Sequence, residues 1–307
     1  MTSPTAVVPA SPVVVVTGAN GLVGARVCAA LAERGATVRA VVRRAGTAPE
    51  LPGLTEHVGD FADADLAAEV LVGADAVVTT VHPMGSDRAT QEQVAVVGTP
   101  LLARAARDAG VARFVHVSTC AVYDRSPGLG DVAETSALVG DDGDVYAVTK
   151  RDTDAALAEV EGITRVLVRP PAILGPGETS VWNVLRPAAI RDDERLRRAN
   201  AAGTFAWVHV DDLAGLVTDL ATGRVLSGPD VATGPVVDGC TAVNVAGSPA
   251  TVADYVGTVA QALGVPTDFD NDLPAWTGQI LTDRARGWGW TPAVTLDNAL
   301  AELAAGL

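Results

Sequence analysis

The apolar run at residues 13–16 leads directly into Thr17-Gly18-Ala19-Asn20-Gly21-Leu22-Val23-Gly24, and a helical stretch to about Arg34 follows. A strand, a tight glycine turn and a helix start in that order constrain this chain more than any other feature. Together they form a corner at which the free N–H groups and dipole of a helix's first turn face an anion such as a diphosphate. Gly18 takes backbone angles that a side chain forbids. Gly21 lets the main chain approach the phosphates, and Gly24 lets the helix pack closely on the strand.

Strand-like and helix-like segments then alternate. Strands are expected at 13–17, 36–42, 54–58, 75–81 and 112–118, and helices at 21–34, 63–71, 90–109 and 145–160. The strands are continuous apolar runs such as Ala76-Val77-Val78, which suit a parallel sheet covered on both faces. Gly35 and Gly110 fall where helices end in glycine. The alternation predicts an α/β fold: a Rossmann-type doubly wound parallel sheet with a smaller C-terminal substrate-binding lobe, ligands gathering at the C-terminal edge of the strands. Residues 1–12 read as a flexible leader. Residues 13–174 read as the dinucleotide-binding domain, to which 206–221 returns, and 175–205 and 230–307 as the lobe. Segment 124–143, with Pro127 and a cluster of acids, is expected as a surface loop beside the site. A strand at 163–168 runs into Arg169-Pro170-Pro171.

The formal net charge of -15 argues against nucleic acid or anionic membranes as partners and favours solubility; the partner expected is a small-molecule substrate. Cys28, Cys120 and Cys240 match neither a zinc spacing nor a disulfide framework, which predicts a reducing, cytoplasmic setting. The four histidines, at 57, 82, 116 and 209, are too scattered to suggest a metal site.

An acid about 20 residues past the glycines would bind ribose hydroxyls and mark NAD. Here strand 36–42 ends in Val41-Val42-Arg43-Arg44. Two guanidinium groups suit a 2′-phosphate, so NADP(H) is favoured over NAD(H); the competing reading is a pair of surface arginines. Asp60 either accepts from the adenine amino group, with Phe61 beside the base, or is a helix-start acid.

Downstream, Ser118-Thr119-Cys120-Ala121-Val122-Tyr123 ends a strand at the ligand edge, and Tyr146-Ala147-Val148-Thr149-Lys150 follows. Tyr146 and Lys150 are four apart and share a helix face. An ammonium near a phenol stabilises phenolate and lowers the tyrosine pKa from about 10, which makes the phenol a usable proton donor or acceptor. The Thr119 hydroxyl can hold a substrate carbonyl or alcohol. Alone, Tyr-x-x-x-Lys is a common solvated helix face; the strand-end hydroxyls and the nucleotide corner give it weight.

In their order and spacing these pieces resemble an extended short-chain dehydrogenase/reductase, the NAD-dependent epimerase/dehydratase family, over almost the whole chain. Further matching pieces are Gly59-Asp60, Arg169-Pro170 with Gly175-Pro176-Gly177, Val208-His209-Val210-Asp211-Asp212-Leu213-Ala214, and Arg284-Ala285-Arg286-Gly287-Trp288-Gly289-Trp290-Thr291-Pro292. The resemblance implies that Tyr146 is the acid/base, that Lys150 tunes it and holds the nicotinamide ribose, and that Thr119 positions the reacting oxygen, with Ser118 as the neighbouring alternative. It also implies cofactor contacts at Gly18, Asn20, Gly21, Leu22, Val23, Thr80, Val81, Pro170 and Ile173, an Asp capping the helix after His209, and pairing of two chains through the fourth and fifth helices, a possible homodimer. The chain departs from the family where it has Ala95 ahead of Gly98-Thr99, Ala172 after Arg169-Pro170, and Thr79-Thr80-Val81-His82-Pro83 after the fourth strand. These changes speak against sugar-nucleotide epimerisation. His82 either touches substrate or is an exposed loop histidine. Trp182 and Asn183 either line the substrate cleft or pack the lobe.

The expected function is an NADP(H)-dependent reduction of a ketone on a small or medium organic molecule, with the proton from Tyr146 and Thr119 holding the oxygen as charge develops. The alternative is a nucleotide-sugar epimerase or dehydratase with tightly bound NAD, its diphosphate gripped by the arginines of 186–198. A third reading, a dinucleotide-binding regulator without activity, conflicts with the retained tyrosine and lysine. The tryptophans are expected mainly to pack, and Cys120 to be a small buried filler.

Overall fold

Six segments become the parallel strands β1 (Val13–Thr17), β2 (Thr37–Val42), β3 (Leu54–Val58), β4 (Ala76–Thr79), β5 (Arg113–Val117) and β6 (Thr164–Arg169) in the computed structural model, which describes residues 11–307. Val14, Val15 and Val16 are all fully buried, which is why β1 is a continuous apolar run and not an alternating one: both faces of the sheet's centre are covered, whereas the edge strand β3 has no buried residue. The strand order is Cys240–Asn244, β6, β5, β4, β1, β2, β3, and every neighbouring pair is parallel. The chain moves one way from β1 to β3 and the other way from β4, so a crevice opens above the C-terminal ends of β1 and β4. This is the doubly wound Rossmann-type sheet expected from the sequence.

Residues 1–10 of the expected leader lie outside the described residues. Ser11 and Pro12 are tied down: Ser11 Oγ donates to the Gly35 carbonyl, and the Pro12 carbonyl accepts from the Thr37 N–H. The run Cys240–Asn244, expected in the lobe, instead pairs with β6 from Cys240↔Arg165 to Asn244↔Arg169 and forms the edge of the main sheet. Ala285 and Trp290, near the C-terminus, likewise pack into the main core. Short strands beyond the regular alternation carry no sign of which sheet they will join.

Helix α1 (Leu22–Glu33) buries Gly24, Val27, Cys28 and Leu31, a spacing of three and four residues that puts one stripe on the sheet. Helix α2 (Ala64–Leu71) is capped by Asp63, whose carboxylate accepts from the Asp65 and Leu66 N–H groups. The helix expected at 90–109 is three consecutive segments. An α turn, Arg88–Gln91, passes into a π-helical stretch, Glu92–Gly98, and then into an α-helix, Thr99–Asp108. Pro100 has no N–H for the carbonyl four residues back, so an unbroken α ladder cannot cross this point.

The lobe has its own core, with Leu174, Ile190, Phe205, Trp207, Tyr255, Val259 and Leu303 buried together. Segment 206–221 divides between the two bodies. Trp207–His209 pairs with Ala172–Leu174 in a separate two-stranded sheet, whereas helix Val210–Ala221 sends Leu213, Leu216, Val217 and Leu220 into the main core. The cap of that helix is His209, whose ring accepts from the Asp211 N–H, and not an aspartate. Asp212 instead accepts from the Ala293 and Val294 N–H groups and fastens the closing segment.

Candidate active site

The glycine corner forms as its residues require. Gly18 has φ +72°, and a Cβ there would press on Thr80 Oγ1 at 2.7 Å. At Gly24 a Cβ would collide with the Gly18 carbonyl, so the closeness this glycine allows is between helix and turn. Thr80 latches the turn by donating to the carbonyls of Thr17 (3.0 Å) and Gly18 (3.3 Å). No side chain caps α1. Its first N–H groups are therefore left for an anion, and the helix dipole favours one there.

From this corner a cavity of about 1060 Å³ runs along the C-terminal edge of the sheet to the lobe. Its wall contains Gly18, Asn20, Gly21, Leu22, Val23, Arg43, Arg44, Asp60, Phe61, Thr80, Val81, His82, Thr119, Tyr146, Ile173 and Trp182. Lys150, Pro170 and Asn183 are not in it. The Pro170 carbonyl accepts from the Cys120 N–H, and the wall position passes to Pro171. Asn183 turns inward and accepts from the Gly175 N–H at 2.9 Å.

At the nucleotide end, Arg43 and Arg44 are exposed and make no ion pair with described residues. The turn that follows them is held by Glu56, which accepts from the N–H groups of Gly46, Thr47 and Ala48. Those three donors, Ala48 first, draw the Glu56 pKa below its usual value. Asp60 is not the helix cap; its carboxylate accepts from the Ala62 N–H at 2.9 Å and keeps a place in the wall. Phe61 is buried, its ring lying against Gly98, where a Cβ would come within 3.4 Å of it.

At the other end, the side chains of Thr119 and Tyr146 both face the cavity, and the Thr119 hydroxyl also accepts from the Ala121 N–H at 3.1 Å. Tyr146 stands at the start of helix Val145–Ala158, capped by Asp144. Lys150 lies one turn deeper, buried, with Nζ donating to the Val117 carbonyl at 2.8 Å. The expected lowering of the tyrosine pKa is not what this arrangement produces. Burial raises the Tyr146 pKa, and the neighbouring Thr119 hydroxyl only opposes it. Burial also brings Lys150 down to about 8, with Asp154 pulling the other way. The ammonium is spent on a carbonyl and on its own desolvation.

His82 is partly buried and not an exposed loop residue. Its Nε2 lies 3.0 Å from Gln91 Oε1, which also accepts from the Thr149 hydroxyl at 3.1 Å. Gln91 donates to the Ser86 carbonyl at 2.9 Å. An amide oxygen only accepts, so Nε2 carries the imidazole proton. Burial, and then the Lys150 charge, lower the His82 pKa to about 4. His116 on β5 is fully buried and lowered well below its usual value, first by burial and then by Lys150.

Sequence reasoning missed the floor of the site. Asp154 pairs with Arg169 at 2.9 Å where both are nearly inaccessible. Arg169 also donates to the Tyr123 hydroxyl (2.7 Å), which donates to Asn244 Oδ1 (2.8 Å). This network ties helix Val145–Ala158 to β6 and the edge strand. An arginine ending a strand was the only visible trace of it. Cys120 is wholly buried, its thiol donating to the Arg169 carbonyl, and burial pushes its pKa to about 12; it is packing, not a nucleophile. Trp182 meets Phe205 and Tyr255 edge-on at 5.4 and 5.5 Å and faces the cavity. The other tryptophans spend their indole N–H groups on backbone carbonyls.

A sequence model of the NAD dependent epimerase/dehydratase family matches residues 14–225. A 3 beta-hydroxysteroid dehydrogenase/Delta 5-->4-isomerase of Mycobacterium tuberculosis is 32% identical over 210 residues, 64% of this chain and 57% of that protein. A 4-hydroxy-2-methyl-3-oxo-4-farnesyl-3,4-dihydroquinoline-1-oxide ketoreductase of Stigmatella aurantiaca is 33% identical over 172 residues, 54% of this chain and 51% of that one. The chain thus spans a little over half the length of these relatives. A short-chain dehydrogenase/reductase superfamily protein of Agrobacterium tumefaciens, solved with bound NAD, superposes with a TM-score of 0.73 at 23% identity, over 96% of both chains. Among the described residues no helix is long and apolar enough to cross a membrane.

Proposed function

The chain belongs to the NAD-dependent epimerase/dehydratase family, and on that premise we propose that it is an oxidoreductase that reduces a ketone on a largely apolar small molecule, with NADP(H) as its cofactor. One observation carries this reading: Thr119 and Tyr146 face one cavity, continuous with the glycine corner and walled beyond it by Met84, Val181, Trp182 and Phe205. The relatives' names, a hydroxysteroid dehydrogenase and a ketoreductase of a farnesylated ring, point to the same chemistry on apolar bodies.

The residues fit a dinucleotide. The uncapped start of α1 would take the diphosphate, and Arg43 and Arg44 a 2′-phosphate. Asp60 and Phe61 border the adenine end. When bound, a reduced nicotinamide supplies the hydride. The chain's own part is to hold and move a proton. Tyr146, kept protonated by burial, carries the proton that the carbonyl oxygen takes up. The Thr119 hydroxyl donates to that oxygen as charge grows on it, where a preset donor helps most. Lys150 and the Asp154–Arg169 pair fix the helix from which Tyr146 projects.

A nucleotide-sugar reading needs cations for a second diphosphate. Of the five arginines of 186–198, only Arg186 makes no ion pair or hydrogen bond among the described residues, and it is not in the cavity wall. Arg191 pairs with Asp192, Arg195 with Asp193 and Arg198 with Asp270, and Arg197 turns inward to the Ile190 and Arg191 carbonyls. The test of the proposal is NADPH oxidation across a panel of apolar ketones. Tyr146→Phe is expected to lose about 100-fold or more of kcat; unchanged turnover removes the proposed role.

A further inference from the structure

We propose that the substrate is a hydrophobic keto acid, its carboxylate paired with Arg125 while Thr119 and Tyr146 hold its ketone. This rests on the ketone-reductase reading and narrows its substrate class. Four charged residues line the cavity. Arg43, Arg44 and Asp60 belong to the nucleotide end. The fourth, Arg125, lies on the loop that leaves β5, just beyond Thr119 and Ala121, both also in the wall. The half-buried guanidinium has no carboxylate at ion-pairing distance among the described residues, in a chain with 37 acidic and 22 basic residues. A partly desolvated guanidinium without a partner is costly.

Its position is fixed without using its donors. The guanidinium carbon sits 5.7 Å from the centre of the Trp276 ring. That ring is held by its indole N–H on the Gly130 carbonyl at 2.9 Å. A cation held over a ring face uses none of its N–H donors, and a guanidinium with free donors can take a carboxylate through two bonds. The charge also reaches the reacting end: Arg125 works against the burial of Cys120, the neighbour of Thr119. One fork serves one carboxylate; a diphosphate would call for more cations than this half of the cavity holds. The remaining wall of Met84, Val181, Trp182 and Phe205 suits an alkyl or ring body.

The experiment compares oxododecanoates differing in ketone position, each beside its methyl ester, with the full chain and with Arg125→Leu and Arg125→Lys, using NADPH and NADH. The intact protein is expected to favour acid over ester by about 10- to 100-fold in kcat/KM, chiefly through KM. Arg125→Leu brings that ratio to about one, and Arg125→Lys restores part of it. If the intact protein reduces acid and ester alike, or Arg125→Leu keeps the preference, the pairing is wrong and ketone reduction stands. If no ketone is reduced with either coenzyme, the reductase reading falls and takes this inference with it.

Discussion

The imidazole of His82 stands edge-on to the ring of Tyr146, centroids 4.9 Å apart and planes at 87°. Gln91 fixes the imidazole from behind, and the fixed imidazole limits where the phenol can swing. Gln91→Leu is therefore expected to lower kcat about 10- to 100-fold by loosening Tyr146, with little change in KM. Steady-state kinetics and circular dichroism together check that the loss is of placement and not of fold.

Burial raises the Tyr146 pKa, so the phenol stays protonated through neutral pH. Ketone reduction should vary little between pH 6 and about 8, because the proton donor is already loaded, whereas alcohol oxidation needs phenolate and should climb through this range and beyond. Rate profiles in both directions test this. An oxidation plateau already reached at pH 7 would mean a lowered tyrosine pKa.

Lys150 titrates near 8 in the folded chain, against about 10.4 when unfolded. Between these values the unfolded chain binds more protons, so stability should rise as pH increases from 8 to about 10.4. The gain from this group is bounded at about 3 kcal/mol. Urea unfolding across that window should show the rise in the native sequence and a smaller one in Lys150→Met.

The Asp154–Arg169 pair is buried with further hydrogen bonds on Arg169. Removing one partner leaves the other charge unpaired, so Asp154→Ala should cost about 3–5 kcal/mol. Asp154→Asn, which keeps the shape and some hydrogen bonding, should cost less. Chemical denaturation of both variants measures the difference.

Arg43→Ala should weaken NADPH binding about 10-fold or more and leave NADH nearly unaffected, since a charge-assisted bond to the 2′-phosphate is lost. Calorimetric titration of both coenzymes decides it. Equal affinities in the intact and altered chains would end the NADP(H) assignment.

The central sheet was legible because doubly covered strands must be largely apolar runs, as β1 and β4 are; the edge strand β3, Leu54–Val58, is polar and partly exposed and was placed by the alternation. The nucleotide corner was legible because Gly18 and Gly24 mark backbone contacts that no other residue permits. The edge strand Cys240–Asn244 was not, because a short strand joins whichever sheet tertiary packing offers. Placing Thr119 beside Tyr146 followed from strand-end logic. The protonation of Tyr146 did not: a spacing of four puts Lys150 on the same helix face but says nothing of the Val117 carbonyl that engages it. Arg125 carried no local signal, since its meaning comes from the cavity wall and the Trp276 ring, far away in sequence.

Glu56 clasps the turn after Arg43 and Arg44 through three N–H groups. The two cations therefore inherit their address from β3 and not from their own strand. Grafting residues 43–48 onto a homologous enzyme would transplant the charges without the clasp, and coenzyme choice would follow only if the glutamate travelled with them.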